Sequence, residues 1–204
     1  MRQFSNRYMI IYSAVLVAVV AVVLSITAVA LKPLQERNKE REQQQMILKA
    51  VGVDVPRQEV EKEYNRCIGQ AYSDDSLMYY YYDFDNRDGI ILPLHGTGLW
   101  GPIWGYLAID KSGAIVGAVF DHKGETPGLG GEIASDKFAQ QFIGKRITDS
   151  DGHVKPVRLK KSADHSSPFE VDAISGGTMT SNGVNDMLAA DLAKYKDLIE
   201  GGVQ

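Results

Sequence analysis

The sequence predicts an α+β protein in which a single N-terminal transmembrane helix precedes a domain with a twisted, mainly antiparallel sheet and flanking helices. Three observations predict this class. An uncharged apolar run lies near the N-terminus, short β-branched and aromatic segments separated by turns fill the middle, and a helical pattern of apolar residues closes the chain.

The apolar run is residues 8–31, which carry no charge. About 20 apolar residues are enough for a helix to cross a bilayer. A secretory signal peptide is the alternative, but the run is long for one and Leu31-Lys32-Pro33 is a poor cleavage site. We therefore expect a retained anchor. Residues 1–7 would be a cytoplasmic tail, because short basic flanks stay inside, and the long remainder would lie outside.

Residues 32–56 are expected to form a helical stalk. Gln35 to Val51 is rich in charge and glutamine without Gly or Pro, and Pro56 interrupts the pattern. A short helix over residues 57–67 then opens the domain, which we place at 57–204. The charge runs of both segments are typical of a solvated helix face.

Two hairpins are predicted in the first half of the domain. Leu77 to Phe84 and Ile90 to Leu94 flank the Asx/Gly turn 85–89, and Trp104 to Ile109 and Ala114 to His122 flank the turn 111–113. The four consecutive tyrosines of the first strand could stack on a bound ring. A strand with both faces in contact with other parts of the protein explains them more simply.

Further elements are predicted in the later sequence. Ser135 is placed to cap a helix over 136–143 that Gly144 closes. Residues 154–159 alternate as a strand, and 160–168 are polar and loop-like. The terminal helix, ended by Gly201-Gly202, has one apolar face made by Val184, Met187, Leu188, Leu192, Tyr195, Leu198 and Ile199.

Charge and composition exclude some functions. A net charge of −4 argues against nucleic acid, which requires a basic face. Cys67, the one cysteine, has no partner for an internal disulfide, and its helical spacing from Val60 and Tyr64 indicates a packed thiol. No metal-ligand spacing or nucleophile elbow accompanies the histidines, so we expect no metal site and no catalytic residues. These histidines are His95, His122, His153 and His165.

A loop with four glycines, His122 to Glu132, separates the second hairpin from the predicted helix at 136–143. Flexible glycine-rich loops usually place backbone against a ligand or against another backbone. From the residues alone, both interpretations stay open.

The segment from Asp172 to Val184 has the strongest chemical pattern. Gly176 and Gly177 run into a segment rich in hydroxyl groups, and a helical pattern follows. A helix N-terminus there would favour a phosphate. A plain strand-to-helix turn with Ser181 or Asn182 as N-cap is the alternative. No Walker lysine follows the glycines, so a nucleotide fold is not supported.

Within this segment, D-x-x-S-G-x-T-x-T resembles the flavin-attachment motif of the FMN-binding domain family. That resemblance implies that FMN is joined through its phosphate to the hydroxyl of Thr178 as a phosphoester. The family usually has Ala where this chain has Gly177, which leaves the hydroxyl in place.

Three motifs in order resemble the C-subunit family of the sodium-translocating NADH:quinone reductase. They are G-L-W-G-P-I-W-G-Y at 98–106, E-T-P-G-L-G-G at 125–131 and S-G-G-T-M-T at 175–180. The resemblance implies an electron relay in a complex of the bacterial inner membrane, with the flavin domain periplasmic. The complex oxidises NADH, reduces ubiquinone or menaquinone and exports sodium, with other subunits as partners beside membrane lipid.

Two alternatives remain. The G-subunit of the Rnf electron-transport complex shares the second and third motifs, and the L-W-G-P sequence around Trp100 favours the quinone reductase. A membrane-anchored binding or assembly module without flavin is the other alternative, and it would be colourless.

The resemblance also implies the roles of the site residues. Ser175, Thr180, Asn182 and nearby amides would serve the phosphate, and Asp172 would shape the turn or assist a flavin transferase that uses FAD and a metal ion. Trp100 and Leu129 would cover the faces of the ring, and the amides of 128–131 would meet its polar edge. The expected cofactor-binding set is Thr178, Ser175, Gly176, Gly177, Thr180, Trp100, Glu125, Thr126, Gly128, Leu129 and Gly130.

Overall fold

A computed structural model describes residues 5–74 and 77–201, with the backbone alone for 70–74. The ends of the predicted tail and of the terminal segment, residues 1–4 and 202–204, lie outside the described residues. The chain divides into two compact units, one before Gln43 and one from Gln43 onward. In order, the helices and strands are α1 Asn6–Ala50, α2 Val60–Cys67, β1 Ile68–Asp74, β2 Leu77–Phe84, β3 Arg87–Thr97, β4 Pro102–Asp110, β5 Ile115–His122, the 3-10 helix Gly130–Ala134, α3 Asp136–Gln140, β6 Arg158–Lys160, β7 Glu170–Asp172, α4 Thr178–Lys194 and α5 Lys196–Glu200.

The N-terminal apolar helix is present as predicted. Residues 8–31 lie wholly within α1, with their large apolar side chains exposed. Helix α1 is long and apolar enough to cross a membrane. It continues through Pro33, so the anchor and the predicted stalk are one helix as far as Ala50.

A five-stranded antiparallel meander, β1 to β5 in sequence order, is the centre of the second unit. It confirms the predicted sheet and both hairpins. The first turn is tighter than predicted: Asp85 and Asn86 both have positive φ, 52° and 58°, as a two-residue hairpin turn of the primed type requires. Strand β3 therefore starts at Arg87. The edge strand β1 is an element that the sequence analysis did not predict.

The sheet is covered on both faces, which accounts for the run of tyrosines. Tyr79 faces a core shared with α3 and α4, and Tyr80 and Tyr82 face a second core on the other side. Ile47 and Leu48 at the end of α1 are buried in that second core. The predicted stalk therefore ends inside the globular unit, because its last turn has an apolar face.

The predicted strand at 154–159 is mostly absent. Thr148 and Val154 form an isolated bridge, and Pro156, which lacks an N–H, follows. Only Arg158–Lys160 forms a strand, in parallel with Glu170–Asp172. The Asn185 side chain of α4 accepts from the Leu159 amide (2.8 Å) and donates to the Leu159 carbonyl (3.1 Å), which ties this small sheet to the helix.

Ser135 caps α3 as predicted, because its hydroxyl accepts from the Phe138 amide. Helix α3 ends at Gln140, earlier than expected. Helix α4 begins at Thr178 with Gly177 as N-cap, so neither Ser181 nor Asn182 is the cap. The Ser181 hydroxyl instead accepts from the amide of Ile174, in the turn that leads into the helix.

The apolar face of the terminal helix is buried as predicted, although a turn at Tyr195 divides it into α4 and α5. Its buried members are Val184, Met187, Leu188, Leu192, Tyr195 and Ile199. This face packs α4 on β3, and Gly183 of the helix lies against the backbone of Thr97 at the end of that strand.

Candidate functional site

The three sequence motifs meet at one cleft of about 160 Å³. We call their segments the Trp100 loop (98–101), the glycine loop (125–131) and the attachment turn (175–180). The cleft is lined by Leu99, Trp100, Glu125, Thr126, Leu129, Gly130, Gly176, Gly177, Thr178, Met179 and Thr180. Residues far apart in sequence are brought together because β3, β5 and β7 end at this side of the domain.

Thr178 is the first residue of α4, and its side chain is exposed. In the described residues no side chain caps this helix. The first amides of a helix have no partner within it, and the helix dipole places partial positive charge there. The Thr178 hydroxyl therefore lies where the backbone would stabilise a phosphate group.

The turn before Thr178 requires small residues. Gly176 has φ +73°, and a Cβ on it would lie 2.6 Å from the Leu129 side chain. The amide of Gly177 donates to the carbonyl of Ile174, which closes the turn. Bare backbone at Gly176 thus allows the glycine loop and the attachment turn to touch.

An apolar rim surrounds the cleft. We define it as Leu99, Trp100, Leu129 and Met179, of which Trp100 is 68% and Met179 58% exposed. Large apolar side chains grouped at the surface mark a binding site more often than singly exposed ones do. Such a rim suits a flat, largely apolar ring whose edge stays open to solvent.

Beneath the rim, Glu125 is buried, with 3% of its surface exposed. It accepts from the Trp100 amide (2.8 Å) and from the Thr180 hydroxyl (2.5 Å). Burial by itself raises the pKa of Glu125. Hydrogen bonds from Thr180 and from the amides of Trp100 and Gly101 outweigh burial, so that the pKa lies below its usual value.

Several predicted residues have other contacts. The amides of Leu129 and Gly131 both donate to the Thr126 carbonyl (3.1 and 3.0 Å), so they are engaged in the loop itself and not with a ring. The hydroxyl of Thr180 donates to the Glu125 carboxylate, and Thr180 itself is buried.

Ser175, Gly128 and Asp172 line an adjoining groove of about 610 Å³, which Thr178 does not line. Asp172 pairs there with His165 (3.3 Å). Asn182 is exposed and outside the residues that line the cleft. The structure therefore brings the rim and Thr178 together and leaves these residues at the margin of the cleft.

Leu99 and Met179 belong to the rim and were missed in the sequence analysis. Both lie inside the three motifs, directly beside Trp100 and Thr178. The signal that could have found them is an exposed apolar residue in a loop or in the first turn of a helix, where solvent contact would favour a polar one.

Comparison with known proteins agrees with this geometry. The FMN-binding domain family matches residues 98–193, which contain all three motifs. The C-subunit of the Na(+)-translocating NADH-quinone reductase of Vibrio alginolyticus is 29% identical over 210 residues, covering 81% of this chain and 82% of that protein.

Solved structures extend the likeness. The crystal structure of the Na(+)-translocating NADH-quinone reductase C-subunit from Parabacteroides distasonis is 36% identical, with a TM-score of 0.74, and covers 81% of this chain and 94% of that one. The NqrC structure from Shewanella oneidensis, 21% identical with a TM-score of 0.63 over 74% and 91% of the two chains, shares the fold.

The residues present fit FMN. An exposed hydroxyl lies at a helix start that no described side chain caps, which suits a phosphate, and the apolar rim beside it suits the ring. Both features lie within the part of the chain that matches the FMN-binding domain. The chain therefore belongs to the C-subunit family of the sodium-translocating NADH-quinone reductase, an oxidoreductase complex, and contains the FMN-binding domain of that family.

Proposed function

We propose that this subunit carries FMN joined covalently to Oγ1 of Thr178 and relays electrons in a membrane complex that oxidises NADH, reduces a quinone and exports sodium. The observation that carries the proposal is the exposed Thr178 hydroxyl at the start of α4, which no described side chain caps, beside an apolar cleft. Bound FMN supplies the redox chemistry, and the chain supplies position and electrostatics.

The chain's part in attachment is to present one alcohol. A flavin transferase acting on FAD would form the bond from Oγ1 of Thr178 to the FMN phosphorus, break the pyrophosphate to release AMP, and remove the hydroxyl proton. The first amides of α4 and the exposed Ser175 would hold the phosphate and offset its charge. Gly176 and Gly177 leave room for the incoming phosphate.

Leu129 and Trp100 face the cleft from two segments and would cover the ring. Since the amides of Leu129 and Gly131 are engaged with Thr126, we assign the polar edge of the ring to the amides of Gly128 and Gly130. Glu125 and Thr180 are assigned a supporting part, because their polar atoms bond to each other.

We place the flavin domain on the periplasmic side of the bacterial inner membrane, with the N-terminus in the cytoplasm. The apolar helix α1 fits a single anchor, and the family is that of a membrane complex. A covalent tether has a physical advantage in the periplasm, because a reversible site empties when free FMN falls below its dissociation constant.

A matched pair of variants tests the tether. Thr178→Val removes the oxygen and keeps the branched shape, whereas Thr178→Ser keeps the hydroxyl. In protein purified from its own host, we expect flavin fluorescence on a denaturing gel to vanish in the Val variant and to persist in the Ser variant. Circular dichroism checks that both remain folded. Fluorescent Thr178→Val would refute the tether position, and a colourless parent protein would favour an assembly module without flavin.

A further inference from the structure

One buried carboxylate joins the segments that form the cleft. Oε1 of Glu125 accepts from the Trp100 amide of the Trp100 loop, and Oε2 accepts from the Thr180 hydroxyl in the first turn of α4. Glu125 itself belongs to the glycine loop. Its two oxygens therefore bond to two segments that are far apart in the sequence, at Trp100 and at Thr180.

The surrounding backbone holds this carboxylate closely. A Cβ on Gly98 would lie 2.6 Å from Oε1, and a Cβ on Gly130 would lie 2.6 Å from Oε2. The Glu125 amide donates to Nδ1 of His122 (3.2 Å), which fixes the backbone of the residue. The backbone of Gly98 and Gly130 closes two sides of the Glu125 carboxylate, and hydrogen bonds hold it on two others. The side chain is therefore fixed in one position.

Nothing in these contacts uses the carboxylate as an outward-facing ligand. Burying a charge without partners is very costly, whereas donors to an ionised oxygen make strong bonds. The donors here are a loop amide and a helix hydroxyl, both from the protein. The carboxylate of Glu125 therefore stabilises a junction beneath the rim.

We propose that Glu125 is a positioning residue whose carboxylate locks the Trp100 loop to the first turn of α4, and so presets the apolar rim beside the Thr178 hydroxyl before any flavin is attached. The rim's use as a flavin seat rests on the proposed function. The junction itself does not, and it can be measured in protein without flavin.

Hydrogen exchange in the Thr178→Val protein tests the junction directly. Trp100 lies in an exposed loop, and the acceptor of its amide in the described residues is Glu125, so loss of this bond should speed exchange of the amide. We expect exchange at Trp100 to be slower than in an unstructured peptide by about tenfold or more, as a hydrogen bond to a charged group implies. Exchange at the unstructured rate would overturn the proposal, whatever the fate of the tether.

A second pair of variants, made in the same flavin-free background, separates the junction from mere packing. Thr180→Ser keeps the hydroxyl that donates to Glu125, and Thr180→Val keeps the volume without it. We expect Trp100 exchange to accelerate about tenfold in the Val variant and to stay slow in the Ser variant. Equal exchange in the two would overturn the proposal, and if the Val variant does not fold, the exchange of the parent decides.

Discussion

Two adjacent glycines set how Thr178 is presented, and they differ in what they tolerate. Gly177 has φ −110°, which any residue can adopt, and a Cβ there would lie 2.9 Å from the Ile174 side chain. Gly176 has φ +73°, where a Cβ is strained and would also meet Leu129 at 2.6 Å. Gly177 is therefore constrained by space alone, whereas Gly176 is constrained by both space and backbone conformation.

We expect Gly177→Ala to lower the free energy of unfolding by about 1 kcal/mol, the low end of overpacking, with attachment at Thr178 kept. Gly176→Ala should cost more, about 2 kcal/mol or above, and should also push Leu129 out of the rim. Denaturant unfolding of the two variants measures the difference. Equal losses would contradict the assigned backbone roles.

The ionised state of Glu125 makes stability depend on pH. Its pKa is lowered in the folded protein, so the unfolded chain binds the proton more readily. The ionised carboxylate contributes fully to the free energy of unfolding above the ordinary pKa of 4.5. This contribution is lost as the pH falls through the lowered pKa of the folded protein. We expect the free energy of unfolding to fall more steeply below pH 4.5 in the parent than in Glu125→Gln. Parallel curves would show that folding does not lower the pKa of Glu125.

The sequence was informative about individual residues wherever chemistry is local. Thr178, Trp100 and Leu129 were predicted from motifs, and the structure brings them to one cleft. The junction at Glu125 was not predicted, because its partner Thr180 is distant in sequence and no local pattern pairs the two. The engaged amides of Leu129 and Gly131 depend on loop geometry, which residue types alone do not determine.

At the scale of elements, α4 is fixed to the sheet by a buried charge near its far end. Asp191 is 2% exposed, accepts from the His95 amide of β3 (2.6 Å) and pairs with Lys194 (2.5 Å). Together with the apolar face, this bond sets the depth of the helix on β3. The position of its first turn, and hence of Thr178, depends on it.

We expect Asp191→Ala to lower the free energy of unfolding by about 1.5–3 kcal/mol, because the His95 amide loses a charged acceptor in a part-buried hydrogen bond. Asp186→Ala is the matched control: it removes an exposed carboxylate of the same helix and should cost no more than about 0.5 kcal/mol. Thermal or denaturant unfolding measures both. A similar cost for the two would show that Asp191 does not anchor α4.

Elements with strong local signals were predicted well. The hairpins, the Ser135 cap and the apolar face of the terminal helix all follow from short-range patterns. The strand at 154–159 was wrong because Pro156 breaks its pairing, and β1 was missed because it is an edge strand that pairs with β2 alone among the described strands. The start of α4 was placed late, since the Ser181 hydroxyl serves Ile174 instead of capping the helix.

At the scale of the whole molecule, the proposed topology places 1–7 and the flavin domain on opposite sides of the membrane. The single native thiol, Cys67, is buried, so a Cys67→Ala background is available for labelling. We expect Lys161→Cys, in an exposed loop, to react with an impermeant maleimide in intact spheroplasts. Ser5→Cys should react only after lysis. The reverse pattern would invert the proposed orientation.

Fold class and family were both predictable because they depend on the order of elements and motifs along the chain. An apolar helix, a meander of strands and three motifs in fixed succession need no knowledge of distances. The burial of the last turn of α1 was not predictable. Ile47 and Leu48 follow a charged helical segment in the sequence, and only the folded sheet shows that they belong to its core.

The central claim is that the hydroxyl of one residue, Thr178, carries the flavin. The most direct measurement is fragmentation mass spectrometry of peptides from the active complex, purified from its own host. We expect the mass of an FMN phosphoester on Thr178, with Ser175, Thr180 and Ser181 unmodified. Unmodified Thr178 in fully active complex, or the same mass on a neighbouring hydroxyl, would contradict it.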